Sequence, residues 1–203
     1  CWNMFQLPES VESACNVGCC GIDGCVSTLV GASLVNPDRL CYVVVGDLTF
    51  FYDLNSLGNH HIGTNLRVML VNNGRGTEFR LGIHHCNVFG DDADKYMAAA
   101  GHFGNKSPLL VKHYAEDLGF HYLSATTKEE FMTALSNFTN PQLSDHSMIL
   151  EVFTDSKDES EALYLMSHIQ SDAKGMVRSK LKDAVRNVAG EKGINAIKKI
   201  LKK

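Results

Sequence analysis

The sequence predicts an α/β protein, doubly wound around a mostly parallel sheet with helices on both faces, followed by a basic helical tail. Two observations lead there. Three short runs, Cys41–Val45 (CYVVV), Arg67–Val71 (RVMLV) and Met148–Phe153 (MILEVF), are almost continuous in apolar residues, as strands buried on both faces of a parallel sheet are. Helix-like stretches alternate with them, and that alternation is the mark of crossover connections.

In chain order, Val26–Val35 (VSTLVGASLV) is a first helix leading into the CYVVV strand. Phe51–His61 is a second helix, leading into RVMLV. Asp92–Gly101 and Pro108–Leu118 supply two more, and His121–Ser124 is short and β-rich enough for an extra strand. Lys128–Phe138 precedes MILEVF, and Lys157–Gln170 follows it. In such sheets the ligand sits beyond the carboxyl ends of the strands, at a topological switch.

Composition sets the class. With 44% apolar and 21% charged residues in 203, the chain can bury a substantial core. No run approaches the roughly 18 apolar residues of a membrane span. No basic-then-apolar leader is visible, so a cytoplasmic protein with reduced thiols is expected. Because the first residue is Cys1, the chain is expected to be part of a longer polypeptide.

The net charge of −4 is unevenly spread. Ten Lys/Arg from Ser171 onward face only Asp172, Asp183 and Glu191, a local +7, which leaves −11 on residues 1–170. We therefore expect two parts, 1–170 and a tail of 171–203. Met176, Val177, Leu181, Val185 and Val188 recur at helical spacing, as do Ile194, Ile197, Ile200 and Leu201, with Gly190 and Gly193 between them. A basic amphipathic tail can lie on an anionic membrane surface, pack on a partner, or dock on its own domain. It holds no aromatic residue, which argues against nucleic acid.

The chemistry-bearing residues follow the first two strands. Gly46-Asp47-Leu48-Thr49 comes straight after CYVVV, and Asn72-Asn73-Gly74-Arg75-Gly76 straight after RVMLV. Asp47 and Asn73, 26 positions apart, should both lie at the carboxyl edge of the sheet. On neighbouring strands they can converge on one cation. A carboxylate and an amide oxygen suit Mg2+, a hard cation that takes few protein ligands and completes its shell with phosphate and water. A helix starting near Leu48 would aim its amino end at the same place, and Gly46 and Gly74 would let the backbone come close. The competing reading is plain turn chemistry: Gly-Asp as a helix cap and Asn-Asn-Gly as a turn.

A Gly-Asp followed after 25 to 30 residues by Asn-Asn resembles the signature of thiamine-diphosphate-dependent enzymes. GIDG (Gly21–Gly24), GDLTFFYDLNSL (Gly46–Leu57) and VNNGRGTEF (Val71–Phe79) are most like the branch that holds 2-succinyl-5-enolpyruvyl-6-hydroxy-3-cyclohexene-1-carboxylate synthase. The likeness runs from about Asn16 to about Met166. It implies the diphosphate-binding domain of the thiamine-diphosphate-binding fold, without its first strand. It implies that thiamine diphosphate and Mg2+ are the cofactors. Asp47 and Asn73 would hold Mg2+ through side-chain oxygens and Arg75 through its carbonyl. Leu48, Thr49, Gly46 and Gly76 would line the diphosphate. Ile22 would be the apolar wedge that bends the cofactor, and Gly21 would accept a hydrogen bond from the aminopyrimidine.

In this family the cofactor, as an ylide, adds to a 2-oxo acid, loses carbon dioxide and holds the carbanion. The implied function is that of a synthase or lyase that decarboxylates a 2-oxo acid or transfers the carbanion to an acceptor. The other reading is a non-catalytic binding or scaffolding module recruited to a membrane or partner by its tail. A nucleotide site is disfavoured by the lack of GxxxxGK[ST] and GxGxxG.

Three departures stand out. The glutamate that pairs with the aminopyrimidine belongs to a pyrimidine-binding domain, from the same parent or another subunit, and nothing here resembles that domain. The chain alone is therefore expected to be inactive, and the full enzyme to be a homo-oligomer. Asn16-Val17-Gly18 stands where the menaquinone enzyme has Asn-Arg-Gly, and valine cannot bind a carboxylate. Glu78 replaces an apolar residue beside Phe79, at the expected substrate position. It would repel an acidic substrate, act as an acid or base, or rotate out to solvent. The menaquinone reaction itself is therefore not assigned.

His60-His61 and His84-His85-Cys86 match no ligand pattern, since adjacent residues on a helix or strand point apart. His84 and His85 follow the cofactor motif, so a substrate contact is a second role open to them. Cys19 and Cys20 read as small apolar packing, and His102 and His113 as surface or core histidines.

Overall fold

A computed structural model describes residues 6–16, 21–81, 84–96, 107–140, 142 and 145–168. The chain divides into two units, Cys1–Ser160 and Glu161–Lys203. In the second, residues 161–168 are described and are helical. The expected boundary at 170, the basic tail 171–203, Val17, Gly18, Cys19, Cys20 and His102 lie outside the described residues.

Helices α1 (Cys25–Val35), α2 (Asp47–Tyr52), α3 (Ala93–Tyr96), α4 (Leu110–Asp117), α5 (Lys128–Phe138) and α6 (Ser156–His168) alternate with strands β1 (Cys41–Gly46), β2 (Leu66–Asn72), β3 (His121–Ala125) and β4 (Met148–Phe153). The strands form one sheet in the order β1-β2-β4-β3, and every pair is parallel. The expected doubly wound α/β arrangement is the observed one.

Strand alternation explains the two cores. On one face Leu66, Val68 and Leu70 of β2 and Ile149 of β4 meet Val26, Leu29 and Val30 of α1, Phe50 of α2, and Val111 and Ala115 of α4. On the other, Leu150 and Met148 of β4 pack with Ala134 and Phe138 of α5. In α1 the buried residues Val26, Leu29, Val30 and Ser33 recur at the spacing of a single helix face. At the amino edge of the sheet, Asn65 Nδ2 donates to the carbonyls of Ser33, Asn36 and Arg39 (3.0–3.1 Å), closing the turn between α1 and β1.

Three expectations need correction. The helix over Phe51–His61 instead begins at Asp47, stops at Tyr52 and gives way to a 3-10 turn at Leu54–Gly58. Asp53 turns its carboxylate to the Ser27 backbone N–H (2.6 Å), tying the helix end to the start of α1. A six-residue helix also brings little dipole to the site. Second, β1 is not buried on both faces. It is an edge strand, with Tyr42 and Val44 exposed and only Val45 buried. Third, within the expected Asp92–Gly101 helix only Ala93–Tyr96 is α-helical among the described residues, after an unforeseen 3-10 segment, His85–Asp92. No helix of the described residues is long and apolar enough to cross a membrane.

Candidate cofactor site

Parallel connections place the amino ends of helices at the carboxyl edge of the sheet, because each helix runs back against its strands. The segment 21–24 enters α1, Asp47 opens α2 after β1, and Asn73-Gly74 follows Asn72, the last residue of β2. The parallel register sets Gly46 opposite Val71. All three motifs therefore gather at one edge.

Asp47 and the loop after β2 are in direct contact. Asp47 is buried; its Oδ1 accepts the Leu48 N–H (2.7 Å) and its Oδ2 accepts the Gly74 N–H (2.6 Å). Gly74 has φ 84°, a left-handed turn that glycine adopts without strain, and this conformation aims its N–H at the carboxylate. The next amide, Arg75 N–H, donates to Asn73 Oδ1 (3.0 Å). A carboxylate and an amide oxygen thus lie on adjacent backbone N–H groups of one turn. Asn73 Nδ2 faces elsewhere, donating to Thr77 Oγ1 (2.7 Å) and to Glu159 Oε2 (2.6 Å) on α6.

Beneath this turn lies a polar cluster inside the sheet. Asn72 Nδ2 donates to Glu151 Oε1 (2.7 Å), and Tyr122 Oη donates to Glu151 Oε2 (2.6 Å). Glu151 is 1% exposed. Burial pushes its carboxyl above the ordinary range; the hydrogen bonds from Tyr122 and Asn72 pull the other way, and the Asp47 charge adds to the rise. The Tyr122 hydroxyl is pushed up too, first by burial and then by its bond to Glu151. Asn72 Oδ1 is buried without a hydrogen-bond partner.

The remaining expected residues divide by exposure. Ile22 is exposed, at 38%, so it is not the ordinary core residue its apolar side chain would otherwise suggest. Gly21 precedes it, and a methyl there would meet Asp23 Oδ1 at 2.6 Å. Leu48 and Thr49 are half-buried in α2, while Arg75 and Gly76 are half-buried in the loop. Gly46 has φ −75°, which any residue adopts, and nothing lies within 4 Å of a Cβ placed on it. That open space, not backbone conformation, is what the glycine provides.

Glu78 is exposed, and Phe79 is half-buried with its ring edge on His84 (5.2 Å between centroids). His84 Nδ1 accepts the Cys86 N–H (3.1 Å), so a neutral His84 carries its proton on Nε2. His60 and His61 sit in a turn with their rings 3.8 Å apart, so these neighbours do not point apart as helix or strand positions would. His113 is exposed. Cys15, Cys25 and Cys41 are free thiols. Among the described residues no three His, Cys, Asp or Glu side chains gather to hold a metal.

Glu151, Tyr122, Asn72, Thr77 and Glu159 were not singled out from the sequence. One signal was present: Glu151 is the only charged residue inside MILEVF, and a charge within an apolar strand is seldom buried without partners.

No family model matches the chain. It is similar to the 2-succinyl-5-enolpyruvyl-6-hydroxy-3-cyclohexene-1-carboxylate synthases of Bacteroides fragilis (35% identity over 160 residues, 79% of this chain and 27% of that protein) and Phocaeicola vulgatus (35% over 163 residues, 79% and 27%). The synthase of Christiangramia forsetii is 35% identical over 160 residues, 79% of this chain and 26% of that protein. The chain spans about a quarter of the length of the curated relatives it matches. By its parallel α/β sheet and by this likeness, the chain is related to one segment of these synthases, which are thiamine-diphosphate-dependent enzymes.

Proposed function

We propose that this chain is the thiamine-diphosphate- and Mg2+-binding part of an enzyme that acts on a 2-oxo acid, decarboxylating it or passing what remains to an acceptor. The observation that carries the reading is the Gly74 N–H bond to Asp47 Oδ2, which draws the carboxylate and the Asn73 amide to one turn. The donor set fits the ion: Asp47, Asn73 and the Arg75 carbonyl are hard oxygens, and Mg2+ bound to a diphosphate needs few protein ligands. The space beside Gly46, with Leu48, Thr49 and Gly76 around it, would take the phosphates. Ile22, exposed and apolar, would bear on the thiazolium, and the Gly21 carbonyl would accept from the aminopyrimidine. When bound, thiamine diphosphate supplies the nucleophilic carbon and the electron sink.

The proposal includes a pyrimidine-binding domain from the same parent or another subunit, which would supply the glutamate paired with the aminopyrimidine. It also places the whole enzyme in the cytoplasm as a homo-oligomer, with membrane-surface contact by the basic tail as a further element. Substrate contacts at Phe79 and Glu78 belong to it as well. Val17 in place of arginine favours a substrate other than that of the menaquinone enzyme. The test is calorimetry of the chain with thiamine diphosphate and Mg2+, with Asp47→Ala as control. Saturable, Mg2+-dependent heat in the wild type alone is expected; identical traces for the two proteins would end the reading.

A further inference from the structure

We propose that Glu159 is a positioning residue for this cation site: it holds Asn73 by its amide nitrogen, so that the amide oxygen is the atom offered beside Asp47. The inference rests on the cofactor reading above and assigns a residue on a separate element, α6, to that site.

The argument is one of donors and acceptors. The two ends of an asparagine amide have nearly the same shape, and only the oxygen end can ligate a cation. Asn73 Nδ2 lies 2.6 Å from Glu159 Oε2 and 2.7 Å from Thr77 Oγ1, while Oδ1 lies 3.0 Å from the Arg75 nitrogen. The Thr77 hydroxyl can donate or accept and does not discriminate. A carboxylate only accepts and a backbone N–H only donates, so Glu159 and Arg75 N–H demand the same orientation. A flipped amide would set Oδ1 against the Glu159 carboxylate and a second donor against Arg75 N–H.

Glu159 is itself held. Its Oε1 accepts from the Thr154 hydroxyl, and it stands in the first turn of α6, where a carboxylate is favoured by the helix dipole. Asp155 Oδ1 caps that helix by accepting from the Lys157 and Asp158 N–H groups (2.8 and 3.2 Å). The Thr154 N–H donates to the Asn72 carbonyl (3.0 Å), so the strand that launches α6 is stitched to the turn that carries Asn73.

The test uses the full chain and two readouts. In the first, Mg2+ is titrated calorimetrically into protein with thiamine diphosphate in excess. Partners that orient a metal ligand are worth about 10- to 100-fold in metal affinity, and Glu159→Met should lose that much. Glu159→Gln should keep most of it, since its carbonyl still accepts from Asn73 and its amide can donate to Thr154. In an Asn73→Asp background, where both terminal atoms are oxygens and no orientation needs selecting, Glu159→Met should cost nothing. An equal loss in both backgrounds would mark a merely structural role and overturn the proposal.

The second readout needs no cofactor: the side-chain amide protons of Asn73 followed by NMR, assigned by their absence in Asn73→Asp. They should be shifted and protected in the wild type and in Glu159→Gln, and released in Glu159→Met. A released amide in a wild type that still binds Mg2+ overturns the positioning role alone. A held amide in a wild type that gives no Mg2+ heat overturns the cofactor reading, and this proposal with it.

Discussion

Asp47 and Gly46 were legible from the sequence as a pair, because a Gly-Asp that ends an apolar run must land at the carboxyl edge of a parallel sheet. What each does was less legible. Gly46 was expected to let the backbone come close; its φ and ψ of −75° and 164° suit alanine, and the space around it is open. Gly46→Ala should therefore leave stability unchanged or raise it by about 0.4–1 kcal/mol through the unfolded chain. It should weaken thiamine diphosphate binding, if the phosphates use that space. Urea denaturation beside calorimetry checks both, and undiminished binding would remove Gly46 from the site. Glu151 makes the opposite case, hidden because strand patterning reports burial and not polar partners. Its carboxyl is raised by burial, so the native state holds the proton more tightly than the unfolded chain does. The stability this brings is complete below the unfolded value of about 4.3 and is lost as pH rises through the higher folded value. Glu151→Gln removes that loss, and Asn72 can turn its unpartnered oxygen to the new amide. The variant should gain on the wild type as pH is raised from about 4, read from urea midpoints. A gap that stays constant with pH would show that Glu151 does not titrate in this way.

Among the elements, α5 shows how local punctuation makes an element legible. α5 occupies Lys128–Phe138 as expected, and its start is written in Thr127-Lys128-Glu129-Glu130. The Thr127 hydroxyl accepts the Glu130 N–H (3.2 Å), while Glu130 Oε2 accepts from the N–H groups of Thr127 (3.3 Å) and Thr126 (2.7 Å). Thr127→Ala removes half of this capping box and should cost about 1 kcal/mol, within roughly 0.5–2, by urea unfolding. An unchanged midpoint would mean that Glu130 alone secures the helix start. The misread element, α2, lacked such punctuation. Its end is set by Asp53 reaching the Ser27 N–H, 26 residues upstream, and a local reading has no access to that contact. The same limit hid Glu159, whose partner Asn73 is 86 residues away in sequence.

At the scale of the whole sheet, alternation of strands and helices was enough to give the parallel α/β class, but not the strand order. CYVVV and RVMLV have the same apolar texture, yet β2 is central and β1 is an edge. Two elements decide how much of β1 stays uncovered. On the α1 face Val45 is buried. On the other face the Tyr42 ring meets that of Phe138 of α5 edge-on at 5.6 Å. Val44, one pleat further along that face, is left 39% exposed, on a strand whose outer hydrogen-bonding edge has no neighbour among the described residues. An apolar edge of this kind is a template for pairing with another chain. Val44→Lys should therefore suppress self-association, read as light scattering with increasing protein concentration. Because Val44 points away from the main core, the substitution should change stability by no more than about 0.5 kcal/mol. A lysine there also opposes edge pairing by charge, so the effect should shrink as added salt screens it. Equal scattering by the two proteins at low salt would mean that the β1 edge is not where this chain meets its neighbours.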